Sequence, residues 1–236
     1  MKVSIAISTY EANGKGVQLL SVNINSILQQ DYENIEIVIS DHSNNKDIYN
    51  YINNITPKSK YNIKYIHNPN DRGNISQNIN NAIKNCSGDI IKIIFMDDFL
   101  FQKTAIREIV SLFRSKKIYW LVNSYLHTKD YKQYFNMIYP RYTEKIINGV
   151  NTIGCPSGLT ISKEVTEEFD INLKWFMDCE YYYRLFCIYG SPDVYIDKPL
   201  ICTLLHTSQV TNDCVNNNTL IENEKKYINN KHNTNI

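Results

Sequence analysis

The chain has 236 residues, of which 43% are hydrophobic, and these values suit one domain with a full core rather than a disordered chain. Its 25 basic residues nearly balance its 24 acidic residues, so no surplus charge favours nucleic acid or an anionic membrane as partner. We find no run near the roughly 20 apolar residues that span a bilayer and no signal peptide, and we expect a cytoplasmic protein.

The first hundred residues alternate between strand-like and helix-like patterns. Short apolar runs rich in β-branched residues predict strands at 3–9, 35–40, 63–67 and 90–95. Apolar residues at helical spacing predict helices at 17–28 and 75–83. Because strands and helices alternate and the strands are almost wholly apolar, the pattern predicts a parallel sheet covered by helices on both faces.

The second half follows a looser pattern. We predict a helix at 104–113, a strand at 118–125, a glycine and proline turn leading into a strand at 154–162, and a helix at 175–189. Residues 133–149 are aromatic and polar and match neither period. From residue 212 onwards asparagine and charged residues dominate, so we expect a frayed or weakly helical tail.

Acidic residues follow three of the predicted strands. Glu11 comes after the first, Asp41 after the second, and Asp97 and Asp98 after the fourth. Ligands of open parallel sheets bind outside the carboxyl ends of the strands, so these side chains should lie along one edge. Each position alone is weak evidence for a ligand site, because acidic residues also end strands and cap helices.

The Asp97–Asp98 pair is the most informative of these positions. Two adjacent carboxylates at the end of an apolar strand repel each other and lose hydration, so a positive group should compensate them. Hard divalent cations take oxygen ligands and bridge protein carboxylates to phosphates. The alternative is a solvated turn in which Asp98 caps the following helix.

Four segments, read in order, resemble a known family. They are SIAISTYEANG, IEIVISDHSNN, NDRGNISQNINNAIKNCSGD and IKIIFMDDFL, and they resemble the GT-A nucleotide-diphosphosugar transferases, specifically the inverting glycosyltransferase family 2. The resemblance covers roughly residues 1–210. It implies an α/β, Rossmann-like, mostly parallel sheet flanked by helices, with a smaller mixed region on the acceptor side. Residues 1–100 would bind the nucleotide sugar, 101–211 the acceptor, and 212–236 would form a polar, flexible tail.

The resemblance also implies a donor site. Thr9, Tyr10, Glu11 and Asp41 would hold the nucleotide base, Arg72 would close the pocket, and Asn78 would support it. Asp97 would contact the ribose or the metal, Asp98 would be the main ligand of Mn²⁺ or Mg²⁺, and His206 would assist it. The chain departs from the commonest pattern at Met96, which replaces the first acid of an acid-x-acid triplet. It departs again at residues 40–43, Ser-Asp-His-Ser, where a double aspartate and glycine are frequent.

The acceptor side is implied by the segment WFMDCEYYYRLF, in which Asp178 matches the catalytic base. The alternative for Asp178 is a charge that the helix dipole favours at a helix N-terminus. Trp175 is either a core anchor or a wall on which a sugar stacks, and Glu180 either faces the acceptor or braces the helix through Arg184, four residues on. Ser157 and Gly158 resemble the turn that borders the acceptor.

The implied function is metal-dependent, inverting transfer of a sugar from a nucleoside diphosphate donor, with UDP favoured, to an acceptor hydroxyl of a glycan. Peripheral association with a membrane is compatible with this function. A catalytically inactive module that binds nucleotide sugars or carbohydrate is the alternative. A sugar nucleotidyltransferase fits less well, because STYEANGKG is a poor match to the glycine-rich phosphate loop of those enzymes. The sugar and the acceptor are not encoded in any pattern we recognise.

Overall fold

The computed structural model describes residues 1–70, 72–207 and 209–234. Within these residues nine strands form one sheet, with helices on both faces. Asp71 and Ser208, which belong to segments with the family pattern, and residues 235–236 of the predicted tail lie outside the described residues.

The first half of the sheet is parallel. Strands β1 (Val3–Thr9), β2 (Ile35–Asp41), β3 (Asn62–His67) and β4 (Ile90–Ile93) pair in the order β3-β2-β1-β4. Helices α1 (Gly16–Leu28), α2 (Asp47–Ile55) and α3 (Ile75–Lys84) connect them. The predicted strands and both predicted helices are confirmed. We did not predict α2, because only Ile48 and Ile52 of its nine residues are buried.

The second half of the sheet is mixed. It contains β5 (Asp98–Leu100), β6 (Trp120–Thr128), β7 (Tyr134–Ile138), β8 (Leu159–Ser162) and β9 (Val194–Leu204), with α4 (Ala105–Ser115) and α5 (Met177–Tyr189). Strand β8 lies antiparallel between β4 and β6, whereas β9 is parallel to β6 and antiparallel to β5. The predicted fold class, including its smaller mixed region, is confirmed.

The C-terminal segment, for which composition predicts a frayed or weakly helical tail, is helical. It forms α6 (Val210–Cys214) and α7 (Asn218–His232). Ile228 of α7 is fully buried, Glu224 is 4% exposed, and Lys231 pairs with Asp170 and Glu180. The few buried contacts of α7 are ionic as well as apolar, so hydrophobic periodicity does not reveal them.

Two hydrophobic cores lie on the two faces of the sheet. One contains the apolar side chains of α1, α2 and α4, and the other contains those of α3, α5 and α7. Because both faces are covered, ligands have access at the strand ends. In the described part of the chain, every helix is too short or too polar to cross a bilayer.

Candidate active site

A cavity of about 750 Å³ opens where β1 and β4 end, beside the start of α5. Most of the residues that the sequence assigned to the site line this cavity: Thr9, Tyr10, Arg72, Asn78, Asp97, Asp98, Trp175, Asp178 and His206. They come from segments far apart in the chain. The expected convergence of these segments is therefore present.

Glu11 and Asp41 are not among the described residues that line the cavity. The Asp41 carboxylate is buried and accepts hydrogen bonds from the backbone N–H and hydroxyl of Ser43 and, at 2.6 Å, from the hydroxyl of Tyr65. Glu11 forms an ion pair with Arg72. Both carboxylates therefore lie outside the cavity lining that the described residues form. Glu11 contacts this lining through its ion pair with Arg72, which is part of it.

Ser157, Gly158 and Glu180 also lie away from the cavity lining that the described residues form. The hydroxyl of Ser157 accepts the backbone N–H of Phe95 at 2.9 Å, which ties its turn to the end of β4. Glu180 is fully buried and pairs with Arg184, Lys231 and His232. This geometry matches the bracing alternative for Glu180 rather than an acceptor contact.

Asp97 and His206 lie side by side at one corner of the cavity. Asp97 lies in the turn between β4 and β5, His206 follows β9, and Oδ2 of Asp97 is 3.0 Å from Nε2 of His206. Nδ1 of His206 is buried and has no hydrogen-bond partner among the described residues. A carboxylate oxygen suits Mn²⁺ or Mg²⁺, and the neighbouring imidazole nitrogen, a ligand of transition metals, favours Mn²⁺ of the two.

The protein offers few ligands at this corner. Within the described residues there is no group of three or more His, Cys, Asp and Glu side chains that could hold a metal ion. A cation bound by one or two side chains and completed by substrate phosphates matches such a sparse donor set. The residues present therefore fit a cation that arrives with a diphosphate.

Asp98 lies deeper than Asp97 and is 5% exposed. Burial raises the pKa of Asp98 well above its usual range, and the charge of Asp97 raises it further, whereas Ser157 and Lys92 act in the opposite direction. The side-chain amide of Asn23 donates to the carbonyls of Phe95 and Asp98 at 2.9 and 2.8 Å and fixes the turn. No sequence signal identified Asn23, since it occupies a helical position within α1.

Asp178 stands at the first turn of α5. Its Oδ1 accepts the backbone N–H of Cys179 at 2.8 Å, and its Oδ2 accepts the side-chain amide of Asn151 at 2.7 Å. Burial raises the pKa of Asp178 to about 6, and these hydrogen bonds oppose the rise. A carboxylate with this pKa is ionised at neutral pH and basic enough to accept a proton. The bond to Cys179 also suits a helix-terminal charge, so the geometry is compatible with both readings of Asp178.

Asn78 links two strands on the donor side of the cavity. Its side-chain amide donates to the carbonyl of Thr9 at 3.0 Å, and its Oδ1 accepts the hydroxyl of Ser40 at 2.6 Å, so it ties β1 to β2. His42 lines the cavity beside it and was noted in the sequence only as a departure from the common pattern. Trp175 is half-buried, contacts the second core and also lines the cavity, so its position is compatible with both interpretations.

Comparisons with known proteins agree with this architecture. The model of the family "Glycosyl transferase family 2" matches residues 4–169. A GalNAc(5)-diNAcBac-PP-undecaprenol beta-1,3-glucosyltransferase of Campylobacter jejuni is 30% identical over 99 residues, which are 42% of this chain and 30% of that enzyme.

Solved structures share the fold at low sequence identity. TarS 1-349 of S. aureus in complex with UDP-GlcNAc has a TM-score of 0.65 at 14% identity, over 89% of this chain and 60% of TarS 1-349. The mannosyltransferase PcManGT of Pyrobaculum calidifontis, in complex with GDP-Man and Mn²⁺, has a TM-score of 0.60 at 13% identity, over 86% of this chain and 56% of PcManGT. The chain thus spans less than two thirds of the length of each of these proteins.

Proposed function

Because the chain belongs to glycosyl transferase family 2, we propose that it transfers a sugar from a nucleoside diphosphate donor to a hydroxyl group of an acceptor glycan. The observation that carries this proposal is a single cavity lined by Asp97, His206 and Asp178. A UDP-sugar is the favoured donor, because TarS, which shares the fold, was solved with UDP-GlcNAc.

Asp97 and His206 would hold the divalent cation, which when bound supplies a Lewis acid for the leaving diphosphate. This assignment moves the main ligand from Asp98 to Asp97. Asp97 faces His206 at 3.0 Å, whereas Asp98 is buried beneath it, where burial favours its neutral form. The orphaned Nδ1 of His206 supports a role for this side chain beyond its contact with Asp97.

Asp178 would act as the general base. The acceptor oxygen bonds to the anomeric carbon while the bond from that carbon to the diphosphate oxygen breaks, and the hydroxyl proton passes to the Asp178 carboxylate. One displacement inverts the anomeric configuration. Proton transfer of this kind contributes about 10²–10⁴-fold to the rate.

The test is the variant Asp178→Asn, which keeps the shape of the side chain and removes its basicity. We expect transfer or slow hydrolysis of UDP-Glc, UDP-GlcNAc or GDP-Man with Mn²⁺, measured as released nucleoside diphosphate, to fall by about 10²–10⁴-fold. Calorimetric binding of UDP with Mn²⁺ should stay near that of the wild type. Asp47→Asn, at an exposed position on α2, is the matched control.

Near-normal turnover by Asp178→Asn would rule out this base. Addition of EDTA tests the cation separately: UDP affinity should fall and should recover with excess Mn²⁺. Equal affinity for UDP with and without EDTA would contradict the role of Asp97 and His206.

A further inference from the structure

The loop formed by residues 149–154 covers the start of α5 and contributes to the cavity wall. The loop ends at Gly154, whose φ is +96°, and a Cβ atom there would collide with the hydroxyl of Tyr125. The carbonyl of Gly154 also accepts the hydroxyl of Tyr182 at 3.1 Å. These contacts hold the loop against β6 and α5.

The side chain of Asn151 is oriented by this loop. Its Oδ1 accepts the backbone N–H of Gly154 at 2.7 Å, and its Nδ2 lies 3.2 Å from the carbonyl of Gly154. Because a backbone N–H requires an acceptor, the amide must place its oxygen towards Gly154 and its NH₂ group towards Asp178. Nδ2 therefore donates to Oδ2 of Asp178 at 2.7 Å, while the N–H of Cys179 donates to Oδ1.

We propose that Asn151 is a positioning residue for Asp178, which fixes the orientation of the carboxylate and keeps it ionised for proton abstraction. The inference rests on the proposed function, in which Asp178 is the general base. Asn151 acts through Asp178, because its amide has no basicity of its own. A donor to a carboxylate favours the charged form and so opposes the effect of burial. The arrangement follows the general logic of a base whose orientation is set by a neighbouring group.

Titration at this position should report Asp178 alone. Among the described residues, the other titratable groups in electrostatic contact with Asp178 are Cys179 and Tyr182 on α5 and Tyr125 on β6. Burial raises the pKa of each of these three groups above its usual value, so they stay neutral in the range where Asp178 ionises.

The larger perturbation is Asn151→Asp. An aspartate can still accept the N–H of Gly154, so the loop contact is retained, but it places a second carboxylate against Asp178. Like charges this close raise the pKa of one member of the pair. Asn151→Ala removes the donor without adding charge and serves as the second variant. Asn53→Asp, exposed on α2, is the control for the added charge.

The direct readout is the carboxyl ¹³C resonance of Asp178 in the full chain labelled with [¹³C]aspartate, identified by its loss in Asp178→Asn. We expect its titration midpoint to rise by about one pH unit or more in Asn151→Asp, by less in Asn151→Ala, and not at all in Asn53→Asp. The acid limb of kcat/KM for UDP-sugar turnover should move by the same amount, with UDP affinity unchanged. A structural defect alone would lower activity at every pH without moving the limb.

The two ways to fail are distinct. An unchanged midpoint in Asn151→Ala overturns the inference whatever Asn151→Asp does, because only the alanine removes the donor without adding a charge; the proposed function then stands if Asp178→Asn is inactive. A raised midpoint together with full turnover by Asp178→Asn shows that Asp178 is not the base, and the role of Asn151 falls with it.

Discussion

The parallel half of the sheet and the mixed half are assembled in different ways. In the parallel half, β1, β2 and β3 are neighbours that the chain supplies in order through helices. In the mixed half, β8 inserts between β4 and β6, which precede it by many residues. The first arrangement places Asp97 in the turn that follows β4, and Asn23 of the neighbouring helix α1 fixes this turn. The second arrangement positions Asp178 through contacts between residues that are far apart in the sequence.

This difference predicts that a substitution can change donor binding and catalysis to different extents. The donor side depends on strand ends and on ties such as Asn78 to Thr9. The catalytic side depends on Asn151 from one loop and, through the segment before α5, on the C-terminal helix. Variants in the part of the mixed half that positions Asp178 should therefore impair turnover more than UDP binding, whereas His206, which follows β9, belongs with the donor side. Two of the three changes below test that contrast and the third tests the junction of the two halves, from the largest expected effect to the smallest.

Glu224→Ala should have the largest effect. The buried carboxylate of Glu224 on α7 accepts the backbone N–H groups of Lys174, Trp175 and Phe176 at 2.8–3.3 Å, immediately before α5. Loss of these charge-assisted hydrogen bonds should lower the free energy of unfolding by about 3–5 kcal/mol, measured by urea denaturation. In the folded variant, turnover should fall while UDP affinity is retained.

The matched control is Glu222→Ala, at an exposed position on the same helix, which should change the free energy of unfolding by less than about 0.5 kcal/mol. Equal effects of the two substitutions would mean that α7 does not hold the segment before α5. If Glu224→Ala lowered UDP affinity as much as turnover, the predicted difference between the two halves would be contradicted.

Gly154→Ala should come next. A side chain at this residue meets both a left-handed backbone, which costs about 1–3 kcal/mol, and the hydroxyl of Tyr125, which adds about 1 kcal/mol of overpacking because only one methyl group is inserted. We expect a total loss of about 2–4 kcal/mol by urea denaturation, with reduced turnover, because the loop that carries Asn151 must move.

Gly14→Ala is the control from the parallel half. Its φ is +85°, but no described atom lies within 4 Å of the added Cβ once its chain neighbours are set aside, so it carries the backbone strain without the collision. The difference between the two variants measures the collision with Tyr125. If Gly14→Ala lowers the free energy of unfolding as much as Gly154→Ala does, the close contact between Gly154 and Tyr125 does not constrain the loop.

The sequence predicted the first half well because its signals are local. The strand periods and the acidic residues at strand ends follow from neighbours within a few positions. The same signals could not show that the carboxylate of Asp41 is saturated by Ser43 and Tyr65, since Tyr65 comes from another strand. The resemblance to the family named Asp98 as the main cation ligand, and the sequence carries no signal for the depth at which Asp98 lies beneath the turn.

The second half was harder to predict for a physical reason. Strand β9 contains charged residues and Pro199, and α7 buries one isoleucine and one glutamate among asparagines, so neither shows a clean apolar stripe. Asn151 had one usable signal, an asparagine three residues before a glycine, which favours a side-chain-stabilised turn. Its partner Asp178 is 27 residues away, and that contact exists only in the fold.

The smallest effect should appear where the two halves join. Lys92 on β4 is fully buried, and its ammonium group donates to Oδ1 of Asn123 and to the carbonyls of Ser157 and Leu159 at 2.6–3.3 Å. Burial lowers its pKa from the ordinary value near 10.5 to about 7, although the charge of Asp98 opposes the change. Between these pH values the unfolded chain binds a proton that the folded chain does not, so stability should rise with pH.

Lys92→Met removes this linkage while it keeps a similar volume. From pH 7.5 to 9, urea denaturation should show the wild type gaining about 2 kcal/mol relative to Lys92→Met, and Lys84→Met, exposed on α3, should behave as the wild type does. Parallel stability curves for the wild type and Lys92→Met would mean that the three oxygens keep Lys92 charged. The two halves of the sheet would then meet at the buried, charged ammonium group of Lys92. Asp98 would lie near this positive charge throughout the pH range of the experiment.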